Sequence, residues 1–297
     1  MSVLVHKAVE ADNLTVKGKK RLGAMLMSGE YVVQPKLDGV YCQIVGGAAY
    51  SRTGEALASV RPEILAQFSG ADSSWRFIGE LWCPFKPHSD INGMARKKSV
   101  QPALELHLFD AVEDGQDETY AERHAGLLCG EWRTGVEVVR NLPCSGQPGA
   151  MLETMEYLYE LAAKIKAKPS AYDGLVLKDS EGLFVPGSGK DGGAIKIKPR
   201  ASGDFLCVGT APGIGNREGG MGAAVVDLGG GVRCEVGSGF TLGEVHDKGA
   251  AYFVGKILEI EYLAITKDGR LREPVYKSVR FDKTEADVLP CNVPGSD

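Results

Sequence analysis

No run in the chain is apolar for long enough to cross a bilayer as a helix, which takes about 20 consecutive apolar residues. The opening residues MSVLVHKAVEAD also lack the unbroken apolar core of a secretory signal. A cytoplasmic protein with no membrane association is therefore expected. Paired cysteines are missing as well. The seven cysteines (Cys42, Cys83, Cys129, Cys144, Cys207, Cys234 and Cys291) never form a C-x-x-C pair, which argues against a structural zinc site. An odd number without framework spacing suggests reduced thiols. The five histidines are dispersed. Nor is positive charge in excess. The formal net charge is -5 and the pI about 5.7, whereas nucleic-acid-binding domains are usually basic. Any grip on nucleic acid must come from local patches. What remains is an ordinary globular composition, 43% hydrophobic and 25% charged, in a chain of 297 residues with room for one large or two modest cores.

The local patterns divide the chain near residues 199 to 203. Residues 14 to 29 read as a helix, with Leu14, Leu22, Met25 and Leu26 on one face and Gly29 as a stop. YVVQPKLDGVYCQIVGG reads as a strand, a break at Pro35 and a second strand. Arg76 to Trp82 and Glu105 to Val112 are further apolar strands. In residues 150 to 168, Leu152, Met155, Leu158, Leu161, Ala162 and Ile165 recur at helical spacing. Lys164, Lys166 and Lys168 suit the negative end of the dipole, and Pro169 ends the helix. After Pro199 the texture becomes short strands broken by glycine. Ala223 to Leu228 and Val232 to Val236 flank Gly229-Gly230-Gly231 as a hairpin, and Leu258, Ile260 and Tyr262 alternate with Glu259 and Glu261. Lys267-Asp268-Gly269 is a turn. A small all-β barrel fits this rhythm.

The chemistry begins at Lys36-Leu37-Asp38-Gly39. A lysine attacks only as the neutral amine, and its ordinary pKa is about 10.4. Neighbouring cations and partial desolvation bring that value down, so a nucleophilic lysine should have other lysines around it. Taken alone, K-x-D-G is an ordinary surface turn. It is followed, in order, by Ser51-Arg52-Thr53-Gly54, by Phe77-Ile78-Gly79-Glu80-Leu81 and by Leu108-Phe109-Asp110. Then come Tyr172-Asp173-Gly174 with Lys178, Ala194-Ile195-Lys196-Ile197-Lys198, and Arg280-Phe281-Asp282-Lys283. Lys196 and Lys198, two residues apart, share one face of a strand. Each piece alone has a bland reading as rim carboxylate, core aromatic or solvated strand face. Together they need seven coincidences in one order.

That order resembles the covalent nucleotidyltransferase superfamily of polynucleotide ligases and capping enzymes, over nearly the whole chain. Lys36 to Gly39 looks like motif I, Arg52 with Gly54 motif Ia, Glu80 motif III and Phe109 motif IIIa. Asp173-Gly174 with Lys178 looks like motif IV, Lys196 with Lys198 motif V, and Arg280-x-Asp282-Lys283 motif VI of the DNA ligases. KDGRLREP, together with the opening Gly209-Thr210, is most similar to small bacteriophage ATP-dependent DNA ligases. The resemblance implies an α+β adenylation (nucleotidyltransferase) domain of packed antiparallel sheets with helices over residues 1–200. An all-β OB-fold barrel that binds DNA would follow over residues 203–297, with a hinge between them.

It also implies a three-step reaction. Lys36 attacks the α-phosphate of ATP, AMP passes to the 5′-phosphate at a nick, and the 3′-hydroxyl displaces AMP. The resemblance makes Lys36, Asp38, Arg52, Lys196, Lys198, Arg280 and Lys283 catalytic. Lys196 and Lys198 would hold the α-phosphate and depress the pKa of Lys36. Glu80 and Asp173 would serve the ribose and Mg²⁺, for which Mn²⁺ could substitute, and Phe109 would stack on adenine. Gln34 and Lys178 would complete the nucleotide site with Lys36, Arg52, Glu80 and the two strand lysines, and Arg280 and Lys283 would orient the leaving pyrophosphate.

Three residues depart from the family pattern. Tyr41 stands where an arginine is usual and cannot replace its charge. Asp173 shortens the reach of the usual glutamate, and Gln34 replaces a glutamate near the adenine amine. For duplex DNA the candidates are Arg96-Lys97-Lys98, the run Lys17, Lys19, Lys20 and Arg21, and Arg217 in the loop 213 to 222. The expected partner is nicked double-stranded DNA and the expected state a monomer. Alternatives are an RNA ligase or capping guanylyltransferase of the same superfamily, or a non-catalytic nucleic-acid-binding module. An NAD-dependent ligase is disfavoured, because only 35 residues precede Lys36 and no four-cysteine module follows.

Overall fold

The computed structural model describes residues 5–166 and 172–292. The chain divides into two compact units, Met1–Pro199 and Arg200–Asp297. The first carries strands β1 (His6–Lys7), β2 (Tyr31–Leu37), β3 (Val40–Val45), β4 (Ala48–Tyr50), β5 (Trp75–Trp82), β6 (Glu105–Glu113), β7 (Val136–Val138), β8 (Tyr172–Asp179), β9 (Gly187–Ser188) and β10 (Ala194–Ile197). Its helices are α1 (Val16–Ser28), α2 (Pro62–Leu65), α3 (His88–Ala95), α4 (Tyr120–Cys129) and α5 (Met151–Lys166). No helix among the described residues is long and apolar enough to cross a membrane.

Two sheets frame this unit. The smaller has the antiparallel order β10-β8-β2; the larger has the order β4-β3-β5-β6-β7, antiparallel except for the β6–β7 pair. Helix α1 starts where Thr15 accepts a hydrogen bond from the Gly18 amide and stops at Gly29, whose φ of 80° is left-handed. It buries Leu22, Met25 and Leu26, and α5 buries Met155, Leu158, Ala162 and Ile165, both against the smaller sheet. Leu152 is the exception to the helical reading, being 81% exposed. At 100° per residue it lies roughly 100° from the centre of the buried stripe, too far round to reach the sheet. Lys168 and Pro169 lie outside the described residues.

The expected break at Pro35 does not occur. Strand β2 runs through it in register with Leu175 and turns only at Asp38-Gly39. Proline is tolerated here because β2 is an edge strand of its sheet. The outward-facing backbone groups of Tyr31 and Val33 bond the segment 142–146 instead of β8. By the alternation of a ladder, the missing Pro35 amide falls on that same outer side.

The second unit carries β11 (Ala201–Pro212), β12 (Met221–Asp227), β13 (Arg233–Val236), helix α6 (Gly249–Phe253), β14 (Ile257–Tyr262), β15 (Ala264–Ile265), β16 (Leu271–Arg272) and β17 (Val275–Val279). The order β13-β12-β11-β14-β17 puts the long strand β11 at the centre, pairing β14 with its first half and β12 with its second. Leu258, Ile260 and Tyr262 point into a core built on Phe205, Val226 and Phe253. The hairpin at Gly229-Gly230-Gly231 forms, with all three φ values positive. The unit is not purely β, because Glu244–Lys248 and α6 form a helical segment that buries Val245 and Phe253. Nor, among the described residues, is a continuous ladder closed around it: the edges meet through a parallel bridge between Ser238 and Val275.

Candidate active site

Lys36 lies near the end of β2, opposite Gly174 of β8. Its Nζ is 3.0 Å from Asp173 Oδ2, and Lys198 Nζ approaches the same oxygen at 2.9 Å. Asp173 is 4% exposed. Burial alone would raise its pKa, but the two ammonium groups overcome that effect and hold it below the usual carboxylate range. One buried carboxylate thus fixes two cations. Gly174 is required beside it: its φ is 135°, and a Cβ would run into the Ile197 carbonyl.

Glu80 enters from β5 of the larger sheet, opposite Tyr41 of β3. Burial pushes its carboxyl up to about 7, with Lys36 and Arg52 opposing the shift and Asp38 adding to it. Gly39 lets the Asp38-Gly39 turn lie against β5, since a Cβ there would strike the Leu81 carbonyl and the Glu80 side chain. The two sheets also meet through the ring of Trp82, stacked on that of Tyr172 at 5.8 Å and 6°. The cleft between them has a volume of about 420 Å³, within the range of small-molecule sites. Lys36, Arg52, Glu80, Phe109, Lys178 and Lys196 line it, with Lys198 and Gln34.

The strand lysines have different partners. Lys198, just past the end of β10, holds Asp173, whereas Lys196 pairs with Glu10 at 3.7 Å. Gln34 is buried, and its amide nitrogen donates to the Val139 carbonyl at 2.9 Å and lies 3.1 Å from His124 Nε2. Lys178 Nζ sits 4.7 Å from the Phe109 ring centre and 4.1 Å from that of Tyr120, and donates to the Phe109 carbonyl. Burial brings its pKa down to about 8; Asp110 opposes the shift and Arg123 adds to it. Asp38 faces His88 Nδ1 at 3.5 Å. The Arg52 guanidinium lies 5.5 Å over the ring of buried Tyr41. The tyrosine in the unusual position therefore seats a cation from the neighbouring motif.

Arg96, Lys97 and Lys98 share a groove of about 770 Å³ with Arg52, Thr53, His88 and Asn92. The other basic residues are arranged differently. Arg21 is tied to Asp179 at 2.6 Å and to Asp191, while Lys17, Lys19 and Lys20 are exposed. Arg217 donates to the Gly222 and Gly237 carbonyls at 2.9 and 2.6 Å, so part of its guanidinium holds its own loop. In the second unit, Arg280 and Lys283 both pair with Asp204, and Arg280 also pairs with Asp282. All seven cysteines are free thiols. Among the described residues, no three His, Cys, Asp or Glu side chains gather to hold a metal.

Residues 212–280 match the family model of the DNA ligase OB-like domain. A Lig E DNA ligase, studied for DNA binding with a minimal scaffold, is similar over 94% of this chain and 100% of its own, with a TM-score of 0.70 and 18% identity. The fold is that of a DNA ligase. The structure named Pmar-Lig_Pre also reaches a TM-score of 0.70 at 19% identity, over 94% of this chain and 67% of that one. The ATP-dependent DNA ligase of bacteriophage T7, in complex with ATP, is similar at 0.51 and 17% identity, over 93% and 98% of the two chains. No curated protein matches the sequence.

Within this ligase fold, sequence reasoning missed the groups behind the cleft. Arg123 of α4 grips Asp110 through Nε at 2.8 Å and Nη2 at 3.2 Å, with both side chains buried. Tyr120 donates to the Phe109 carbonyl at 2.9 Å. The buried Asp204 of β11 was missed too. Tyr120 and Arg123 follow Thr119, whose capping box with Glu122 starts α4. That box announces the helix but not which of its residues face Phe109.

Proposed function

We propose that the protein is an ATP-dependent DNA ligase that seals nicks in duplex DNA through a Lys36–AMP intermediate. The observation that carries this reading is the sharing of one buried carboxylate, Asp173, by Lys36 and Lys198 at 3.0 and 2.9 Å on the wall of a nucleotide-sized cleft. The ion pair with Asp173 aims Lys36 into the cleft. A proton must leave to solvent before the amine attacks. The N–P bond to the α-phosphorus then forms as the bond to pyrophosphate breaks, and the nitrogen loses its second proton. The incoming phosphates draw Lys198 and Lys196 away from their carboxylates, so charge neutralisation and positioning carry the step. Phe109, braced by Tyr120 and Lys178, offers a face for the adenine. AMP then passes to the 5′-phosphate at the nick, and attack by the 3′-hydroxyl releases it.

A magnesium ion fits Glu80, a hard oxygen donor inside the cleft. Asp173, engaged by both lysines, serves to place them. When bound, such an ion would neutralise phosphate charge. Arg52, Arg96, Lys97 and Lys98 line one groove and form the phosphate-gripping surface for the duplex. The residues KDGRLREP and Gly209-Thr210 support a ligase of the bacteriophage type, and the proposal is of a monomer that acts in the cytoplasm in replication or repair.

The test is incubation with α-labelled ATP and Mg²⁺, followed by a denaturing gel. Label on the wild-type protein, none on Lys36→Ala, and release of label when nicked DNA is sealed are expected. Label from GTP but not from ATP would move the protein to the capping class. No label from either, after pyrophosphate treatment to strip pre-bound AMP, would sink the proposal.

A further inference from the structure

Arg280 and Lys283 are the cations that the sequence pattern assigns to the leaving pyrophosphate, and in the structure neither stands alone. Both converge on Asp204, a carboxylate 5% exposed near the start of β11. Arg280 Nη1 donates to both of its oxygens, at 3.1 and 2.9 Å, and Lys283 Nζ pairs with Oδ2. The other edge of the guanidinium is taken by Asp282, with Nε at 2.9 Å from Oδ1 and Nη2 at 2.7 Å from Oδ2. A planar fork held along two edges has its orientation fixed. Asp204 is itself anchored: its amide donates to the Asp287 carboxylate at 2.8 Å, and its carbonyl accepts from the Asp287 amide at 2.7 Å. Both cations line a groove of about 340 Å³ with Lys256 and Phe281, which is large enough to admit a diphosphate.

We propose that Asp204 is a positioning residue for adenylation. Its carboxylate presets Arg280 and Lys283 in the geometry in which they meet the pyrophosphate end of ATP. The inference rests on the ligase reading and goes beyond its motifs, none of which includes Asp204. A buried carboxylate facing two cations holds both on one side of the groove, where phosphate can reach them. In the adenylation step the Lys36–phosphorus bond forms and the α–β phosphoanhydride bond breaks. The two cations act on the departing oxygen, and Asp204 acts only through them.

Asp204→Asn is nearly isosteric and removes the charge. Three rates are read on the variant and on wild type: labelling of the protein by α-labelled ATP, release of that label by pyrophosphate, and sealing of a nick that already carries a 5′-adenylate. Adenylation and its reversal should each fall at least tenfold, because forward and reverse steps share one transition state. Sealing of the adenylated nick should stay within twofold. Unchanged adenylation, or a parallel fall of all three rates, overturns the inference. Should Asp204→Asn not fold, Asp204→Glu, which shifts the charge by one methylene, carries the same split and is judged by the same outcomes. Failure of the wild-type protein to label would instead refute the ligase reading, whatever Asp204 does.

Discussion

Glu80→Gln should make the protein more stable at alkaline pH while disabling it. The Glu80 carboxyl is raised by burial from 4.5 to about 7. The unfolded chain therefore releases that proton more readily than the folded one, and stability falls as pH rises from 4.5 through 7. Below 4.5 Glu80 costs nothing; above 7 the whole cost is present. A gap of about 2.5 pH units at 1.36 kcal/mol each is roughly 3.4 kcal/mol, which solvent screening at the cleft lowers to about 1–3 kcal/mol. Glutamine keeps an oxygen to accept the Gly39 amide hydrogen bond and has no proton to lose. Urea unfolding at pH 5 and pH 8 measures the effect. Glu80→Gln should gain on wild type between the two, by about 1–2 kcal/mol or more, while its adenylation collapses at both. Wild-type adenylation should in turn fall as pH drops below 7 and the carboxylate protonates. If the difference in stability between variant and wild type is the same at pH 5 and pH 8, the reasoning that Glu80 is a desolvated carboxylate is wrong.

Asp110→Ala should lower the stability of the first unit by about 3–5 kcal/mol, since it leaves Arg123 charged and buried without its partner; urea midpoints measure this, and a change under 1 kcal/mol would refute it. Leu158→Ala, at a fully buried position, should cost about 2–5 kcal/mol, whereas Leu152→Ala should change stability by no more than about 0.5 kcal/mol. Equal costs would show that α5 is packed by a different face. The triple variant Arg96→Ala, Lys97→Ala, Lys98→Ala should weaken binding to nicked DNA. It should also make the slope of log affinity against log salt shallower by about 1–3, roughly 0.9 for each phosphate no longer neutralised. An unchanged slope would remove this groove from the DNA surface.

What is local is legible in the sequence. Gly29 stops α1 because a left-handed stop depends on a few neighbouring atoms, whereas the start falls after the Thr15 cap and not at Leu14. Leu258, Ile260 and Tyr262 go inward because successive residues of a strand alternate sides. The order of the motifs alone points to Lys36, Glu80, Asp173 and Lys198 as one site, because each motif is a short segment with its own steric demand, as Gly39 and Gly174 show. Only the tertiary structure decided the partners. Leu152 keeps helical spacing yet faces solvent, because a period does not say where the buried stripe is centred. Pro35 reads as a break, but an edge strand has no ladder bond there to lose. Lys196 and Lys198 look equivalent, yet one meets Glu10 and the other Asp173. Arg280 meets Asp204 across 76 residues of sequence. Such ion pairs depend on the register between strands distant in the chain, and register is set by packing a whole core, which no local pattern records.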